Sequence, residues 1–225
     1  MRLRAGLWIF SLFLLSSCVL PPISKKISRH GVVLRQIYDG KEAKELDDGM
    51  IKLIDEALDW LTPEMIASIE CIAFNDDGKH ISGSEWAHCH NYTGIICLKT
   101  APLCKKTIWH EAAHAYTFHL IHLGGDFYKD WLEVSKTVSR KESLIERGVI
   151  SIYGGTHKLE DIATWVAAIY SSLDPNSWSD FDDLLRSSGM KFRDLGEVFS
   201  KKLELLRKYK FISQKDYEKF LEIHN

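Results

Sequence analysis

Apolar positions along the chain gather first in short β-branched runs and later recur at helical spacing. GVVLRQIY (31–38) is predicted as a strand, followed by Leu46, Met50, Ile54, Ala57, Leu58 and Leu61 at intervals of three and four, which predict a helix that Thr62-Pro63 ends. Ile69–Phe74 and Tyr92–Leu98 are predicted strands, separated by a polar loop that includes Asn75, Asp76, Asp77, Gly78 and Gly83. From Lys99 onward the spacing is helical. One long helix is predicted over Lys99–Leu123, with Thr100 near its N-cap, Pro102 in its first turn and Gly124-Gly125 as its stop. Further helices are predicted over Phe127–Val138, Leu159–Leu173, Phe192–Tyr209 and Gln214–His224, the last opened by Ser213 and Asp216 in capping-box spacing. Strands first and helices after give an α+β fold: a small N-terminal sheet and a mostly helical C-terminal half.

The first residues follow a different pattern. Arg2 and Arg4 precede an apolar run from Ala5 to Leu15, too short for the ~20 residues a membrane span needs and suited to a secretory signal. The run ends in Leu15-Ser16-Ser17-Cys18, which resembles a bacterial lipobox. That resemblance implies a signal peptide over 1–17, cleavage before Cys18 and lipidation of that cysteine. The alternative is an ordinary secretory signal cleaved near Ser16 and Ser17. Residues 18–30 then form a mostly polar tether and 31–225 a single domain, outside the cytoplasm in either case. With Val19, not aspartate, after the lipobox cysteine, an outer-membrane location is preferred for the anchored protein.

Composition narrows the partners. The chain has 225 residues, 45% of them apolar and 27% charged, enough for one domain with a sizeable core. Its 29 basic and 31 acidic residues give a net charge of −2 without a single-sign run, so the footprint of a nucleic-acid binder is absent. Beyond Cys18, four cysteines remain in an exported chain. Cys71, Cys89, Cys97 and Cys104 are therefore expected to form up to two disulfides, with the pairing open. The alternative is a second metal site built from Cys89, Cys97, Cys104, His88 and His90.

The chemistry concentrates in TIWHEAAHAYTFHL (107–120), which contains the HExxH pattern His110-Glu111-Ala112-Ala113-His114. Helix residues four apart lie one above the other, so His110 and His114 can both reach one zinc ion at about 2.0–2.1 Å. Glu111, one position round, is turned too far to be a ligand but can act as general base on a zinc-activated water. A catalytic zinc takes three protein ligands. The metzincin extension is excluded, because Thr117 and Leu120 stand where its glycine and histidine belong. His119 is rotated about 140° from His114, and His122 is more than two turns down. The favoured third ligand is Glu160, at the start of the helix whose Ile162, Trp165, Val166 and Ile169 can face the core; Asp161 beside it is the rival.

HEAAH followed by Glu160, Asp161 and Ala163 resembles the gluzincin metallopeptidases, whose second helix carries a glutamate ligand and a small residue one turn later. With WLEVS (131–135) and Ser151-Ile152-Tyr153-Gly154 before Glu160, the chain is most similar to the peptidases related to anthrax lethal factor. The resemblance covers about residues 92–170. It implies a zincin-like domain that hydrolyses peptide bonds with one zinc, held by His110, His114 and Glu160. Glu111 would be the base, and Tyr153 would stabilise the oxyanion or assist the leaving amine. Relatives commonly carry an acidic residue where this chain has Thr164, a hydroxyl that could still accept a hydrogen bond from a ligand histidine.

His157 competes with Tyr153 as a transition-state donor. The strand 93–98, just before the HExxH helix, is expected to be the sheet edge on which an extended peptide adds. Two other functions remain possible from sequence. One is a catalytically silent lipid-anchored binding or scaffold protein with a peptidase-like fold. The other is a zinc-binding periplasmic protein that uses the loop histidines His80, His88 and His90.

Overall fold

The computed structural model describes residues 25–37, 46–75, 87–90, 93–99, 104–136 and 143–225. The predicted signal peptide, Cys18, the start of the tether, and the polar loop with His80 lie outside the described residues. The α+β class is present: one five-stranded sheet, contributed by the first hundred residues, and a helical remainder.

The sheet contains β1 (Lys25–Ile27), β2 (Val33–Ile37), β3 (Cys71–Asn75), β4 (Ala87–His90) and β5 (Ile95–Lys99), in the spatial order β1-β2-β3-β5-β4. β2, β3 and β5 run parallel, and β1 and β4 lie antiparallel to them at the two edges. β1 falls inside the predicted tether. It forms a hairpin with β2 because Gly31 takes a positive φ of 81° and the Ser28 amide donates to the Val32 carbonyl at 2.9 Å. β4 falls inside the predicted polar loop between the strands 69–74 and 92–98 and so corrects it; four residues are too few to show alternation. Its presence also corrects the expected edge: β5 has β3 on one side and β4 on the other, so among the described residues β4 is the edge strand.

Helix α1 (Asp48–Leu58) is capped by Asp47, which accepts from the Gly49 amide at 2.6 Å. Thr62-Pro63 stops that region and also starts the next: Thr62 accepts from the Met65 amide at 3.3 Å and Pro63 occupies the first turn of α2 (Pro63–Ala67), a helix the sequence pattern missed. α3 (Lys105–His122) starts later than predicted, with Cys104 at its N-cap, because Lys99 still pairs with Asn75 in the sheet. It is buried on nearly every side, by Ile108, Trp109, Ala112, Ala113, Ala115, Tyr116 and Phe118, and packs against β4, β5, α1 and α5. Trp109 donates its indole N–H to the Ala57 carbonyl at 2.9 Å, and its ring centroid lies 5.7 Å from that of Tyr170. Burying one such ring contributes about 4–6 kcal/mol of transfer free energy before entropy is charged against it.

Next come α4 (Phe127–Lys136) and α5 (Lys158–Leu173), the second central helix. Ala112 and Ala113 on α3 and Ala163 and Ala167 on α5 are all buried, and side chains this small let two helices approach closely. The unpredicted α6 (Asp180–Ser188) is capped by Ser179, which accepts from the Phe181 amide at 3.1 Å. The helix predicted over 192–209 is broken: Gly196, at φ 97°, separates a 3-10 turn, Phe192–Leu195, from α7 (Glu197–Lys208). α8 (Gln214–His224) has its predicted bounds and the predicted Ser213–Asp216 capping box.

The cysteines depart from expectation. No disulfide joins Cys71, Cys89, Cys97 or Cys104. Cys89 packs in the main core, whereas Cys71 and Cys97 sit with Ala73 in a separate cluster on the other face of the sheet. Register sets this separation, since Cys89 is opposite Ile96, and its neighbour Cys97 therefore points the other way. Cys104 is exposed at the start of α3.

Candidate metal centre

α3 and α5 cross so that the HExxH turn of one faces the first turn of the other. His110 and His114 point the same way, as residues four apart on a helix must, with ring centroids 4.8 Å apart and 81° between planes. Their Nε2 atoms are 3.1 Å apart, and the Oε2 atom of Glu160 lies 3.1 Å from the first and 3.3 Å from the second. Burial alone would raise the Glu160 carboxyl, but hydrogen bonds to His110 and His114 and the electrostatic effect of these two neighbours hold it well below the usual carboxylate range. Its place in the first turn of α5 also favours a negative charge.

These distances are close to those zinc requires, two of the three edges being about 0.2 Å short. A tetrahedral ion with bonds of about 2.0–2.2 Å needs its donor atoms roughly 3.3–3.5 Å apart. Two imidazole nitrogens and one carboxylate oxygen form a slightly tighter triangle that a small outward shift would open to that size, and two nitrogens plus one oxygen is a catalytic-zinc donor set. Among the described residues, this is the one group of three potential ligands this close together.

Glu111 is 7% exposed and lines the same cleft as His110 of the triangle. Its negative charge and, above all, burial push the thiol of nearby Cys89 up. The cleft has a volume of about 490 Å³ and is lined by Ala87 of β4, Thr107, His110 and Glu111 of α3, Tyr153, and Ala167 of α5. Tyr153 stands in the turn 151–156 with its ring centroid 5.8 Å from that of His110, and more than half of its surface is open. It is therefore at the site, facing the cleft.

The other candidates fall elsewhere. Asp161 is turned into the core, where Lys202 donates to it at 2.6 Å and the Trp131 indole at 3.0 Å, so it has no path to the triangle. His157 caps α5, its Nδ1 accepting from the Leu159 amide at 3.2 Å. His119 and His122 are exposed near the end of α3, His119 stacked against Tyr116 at 6.3 Å, and neither joins the donor group. Thr164 lines the cleft and is buried, but its hydroxyl has no hydrogen-bond partner among the described residues; Gly154 packs on it so closely that a Cβ there would lie 3.2 Å away. It does not take over the supporting role of the missing carboxylate. His80 and the side chains of His88 and His90 lie outside what the structure describes.

Sequence reasoning missed Lys202 as a partner of Asp161, and Ala87, which brings the edge strand to the cleft; Trp131 was picked out in WLEVS, but not as a partner of Asp161. No local pattern marked Lys202 or Ala87.

No protein-family model matches the chain, and no curated protein matches it. Among solved structures the chain is similar to a crystal structure from Bacteroides caccae described as "a putative zinc-binding metallo-peptidase", with 16% identity, 88% of this chain and 85% of the other covered, and a TM-score of 0.46. Likeness at that level transfers no chemistry, so the functional reading rests on this chain's own residues.

Proposed function

We propose that the protein is a zinc-dependent metallopeptidase of the gluzincin kind, most like the peptidases related to anthrax lethal factor. The triangle of His110, His114 and Glu160, with edges of 3.1–3.3 Å beside the buried Glu111, carries this reading. When bound, zinc would lower the pKa of a water and polarise the scissile carbonyl. Glu111, at the helix position next to His110, would serve as general base, accepting a proton from the attacking water and returning it to the departing amine. The Tyr153 hydroxyl, on the open side of the cleft, donates to the oxyanion that forms on the former carbonyl. A donor of this type typically contributes about 2.7–4 kcal/mol to the transition state. The peptide lies extended along the outer edge of β4, which pairs with no other strand among the described residues and whose Ala87 forms one wall of the cleft.

The same reading makes the protein an exported lipoprotein, anchored through Cys18 and acting on peptide or protein substrates, with no role in nucleic-acid binding. No described helix is long and apolar enough to cross a membrane. The test is a substitution that separates metal from turnover: Glu111→Gln keeps about one zinc per chain and loses hydrolysis of a peptide library. Full activity in that variant would overturn the assignment of the base, and absence of zinc from the wild-type chain would overturn the metal centre.

A further inference from the structure

Lys202 is the most deeply buried charge among the described residues, at 0% exposure. Its Nζ donates to Asp161 at 2.6 Å and to the Gly148 carbonyl at 2.8 Å, and stands 5.0 Å from the Trp131 ring centroid and 5.9 Å from that of Trp165. Both indoles belong to the same network: Trp131 donates to Asp161 at 3.0 Å and Trp165 to the Gly148 carbonyl at 3.0 Å. One ammonium thus ties α7 to α4, to the start of α5 and to the turn at Gly148.

Stability is a poor explanation for this arrangement. Removing two charges from water costs several kcal/mol per ion, and replacing such a pair with apolar side chains is often neutral or stabilising. Here the network is also incomplete, because the Oδ1 atom of Asp161 has no hydrogen-bond partner among the described residues. Its location is more informative. Asp161 directly follows Glu160, and adjacent helix residues point about 100° apart, so a side chain clamped in the core fixes the direction of its neighbour. The first four amides of a helix have no intrahelical partner, so its opening turn frays readily. Besides this clamp, His157 supplies a cap there, from an exposed position. Gly148 is the second anchor. It has a φ of 64°, and a Cβ on it would fall 2.4 Å from Val198 of α7, so this backbone is pressed against the helix that carries Lys202. From Gly148 the chain runs through Val149 and Ile150, both buried, to Ser151 and Tyr153 in the cleft wall.

We propose that Lys202, acting through Asp161 and the Gly148 carbonyl, is a positioning residue that holds Glu160 and Tyr153 at the metal centre from outside the cleft. This rests on the metallopeptidase reading. It assigns to α7, which contributes no residue to the site, control over the geometry of a ligand on α5 and a donor on the 151–156 turn.

The test measures zinc affinity by competition with a chromophoric chelator, and thermal midpoint in EDTA, for the wild type, Lys202→Met, and Lys202→Met with Asp161→Asn. The double variant leaves no unpaired buried charge and retains an acceptor for the Trp131 indole. Lys201→Met, on the exposed face of the same helix, is the control. The expected result is a metal-free midpoint in the double variant close to wild type, zinc binding 10–100-fold weaker, and kcat on a peptide substrate reduced at saturating zinc, with no change in the control. Wild-type zinc affinity in the folded double variant would overturn the proposal. So would loss of folding in both variants, which would assign the pair to the fold alone. Failure of the wild type to bind zinc is a different result: it would remove the metal centre itself, together with this inference.

Discussion

Replacing Glu160 with alanine removes one corner of the donor triangle without disturbing the core. The glutamate side chain is a quarter exposed, and its hydrogen bonds run to His110 and His114 at 3.1 and 3.3 Å. In the metal-free protein each of those bonds contributes on the order of 0.5–1.5 kcal/mol net, partly offset because the variant no longer buries a carboxylate. A net change of about 1 kcal/mol corresponds to a shift in midpoint of only about 2–4 °C for a chain of this length. The effect on zinc is far larger. Structural zinc sites with four ligands gain about 10–16 kcal/mol, or roughly 2.5–4 kcal/mol per ligand. At about 1.4 kcal/mol per factor of ten, loss of one ligand weakens binding by about two to three powers of ten. The assay is a chelator-competition titration of wild type and Glu160→Ala, with melting curves in EDTA run alongside. Zinc affinity in Glu160→Ala within about threefold of wild type would refute the ligand assignment, and so would a large fall in its metal-free midpoint, which would make the carboxylate a structural element.

Tyr153→Phe is expected to leave zinc affinity unchanged and lower kcat on a peptide substrate by roughly 100- to 1000-fold; steady-state kinetics with matched zinc content would check it, and an unaltered kcat would remove Tyr153 from the mechanism. A second expectation concerns acid. Burial alone would raise Asp174, but its hydrogen bonds from Lys105 at the start of α3, the Asn176 amide and Ser177 outweigh this and hold the carboxyl below its ordinary value. A folded-state pKa below the unfolded value of about 3.9 means that the stabilisation is complete above that value and fades as pH falls through it. Melting curves between pH 7 and 3 should therefore show a decline below about pH 4 that is shallower in Asp174→Asn, and parallel curves for the two proteins would contradict the assignment.

How much of this was legible in the sequence follows from how local each feature is. His110, Glu111 and His114 lie within five residues of one helix, where spacing alone sets direction, and α8 was readable down to its cap because Ser213 and Asp216 mark it locally. Glu160 required one more step, the phase of Ile162, Trp165 and Ile169 against the core. What stayed hidden depends on partners remote in sequence. Pairing of β4 with β5, not any property of residues 93–98, decides which strand is the edge. The alternation that places Cys89 on the face opposite Cys71 and Cys97 is likewise a matter of register, which a count of cysteines does not carry. Lys202 was the hardest to read. A lysine in an amphipathic helix is ordinarily assigned to the wet face, and only the fold reveals that Asp161 and the Gly148 carbonyl are waiting for it in the core. α2 and α6 are short, and their Thr62 and Ser179 caps fit a turn as readily as a helix start.

The most direct measurement is an anomalous difference map collected on either side of the zinc absorption edge, from crystals of the protein grown with one equivalent of zinc. The account predicts one peak, about 2.0–2.2 Å from Nε2 of His110, Nε2 of His114 and a carboxylate oxygen of Glu160. A peak on His119 and His122, on the Cys89 strand, or on Asp161 would contradict it, as would a map with no peak between α3 and α5.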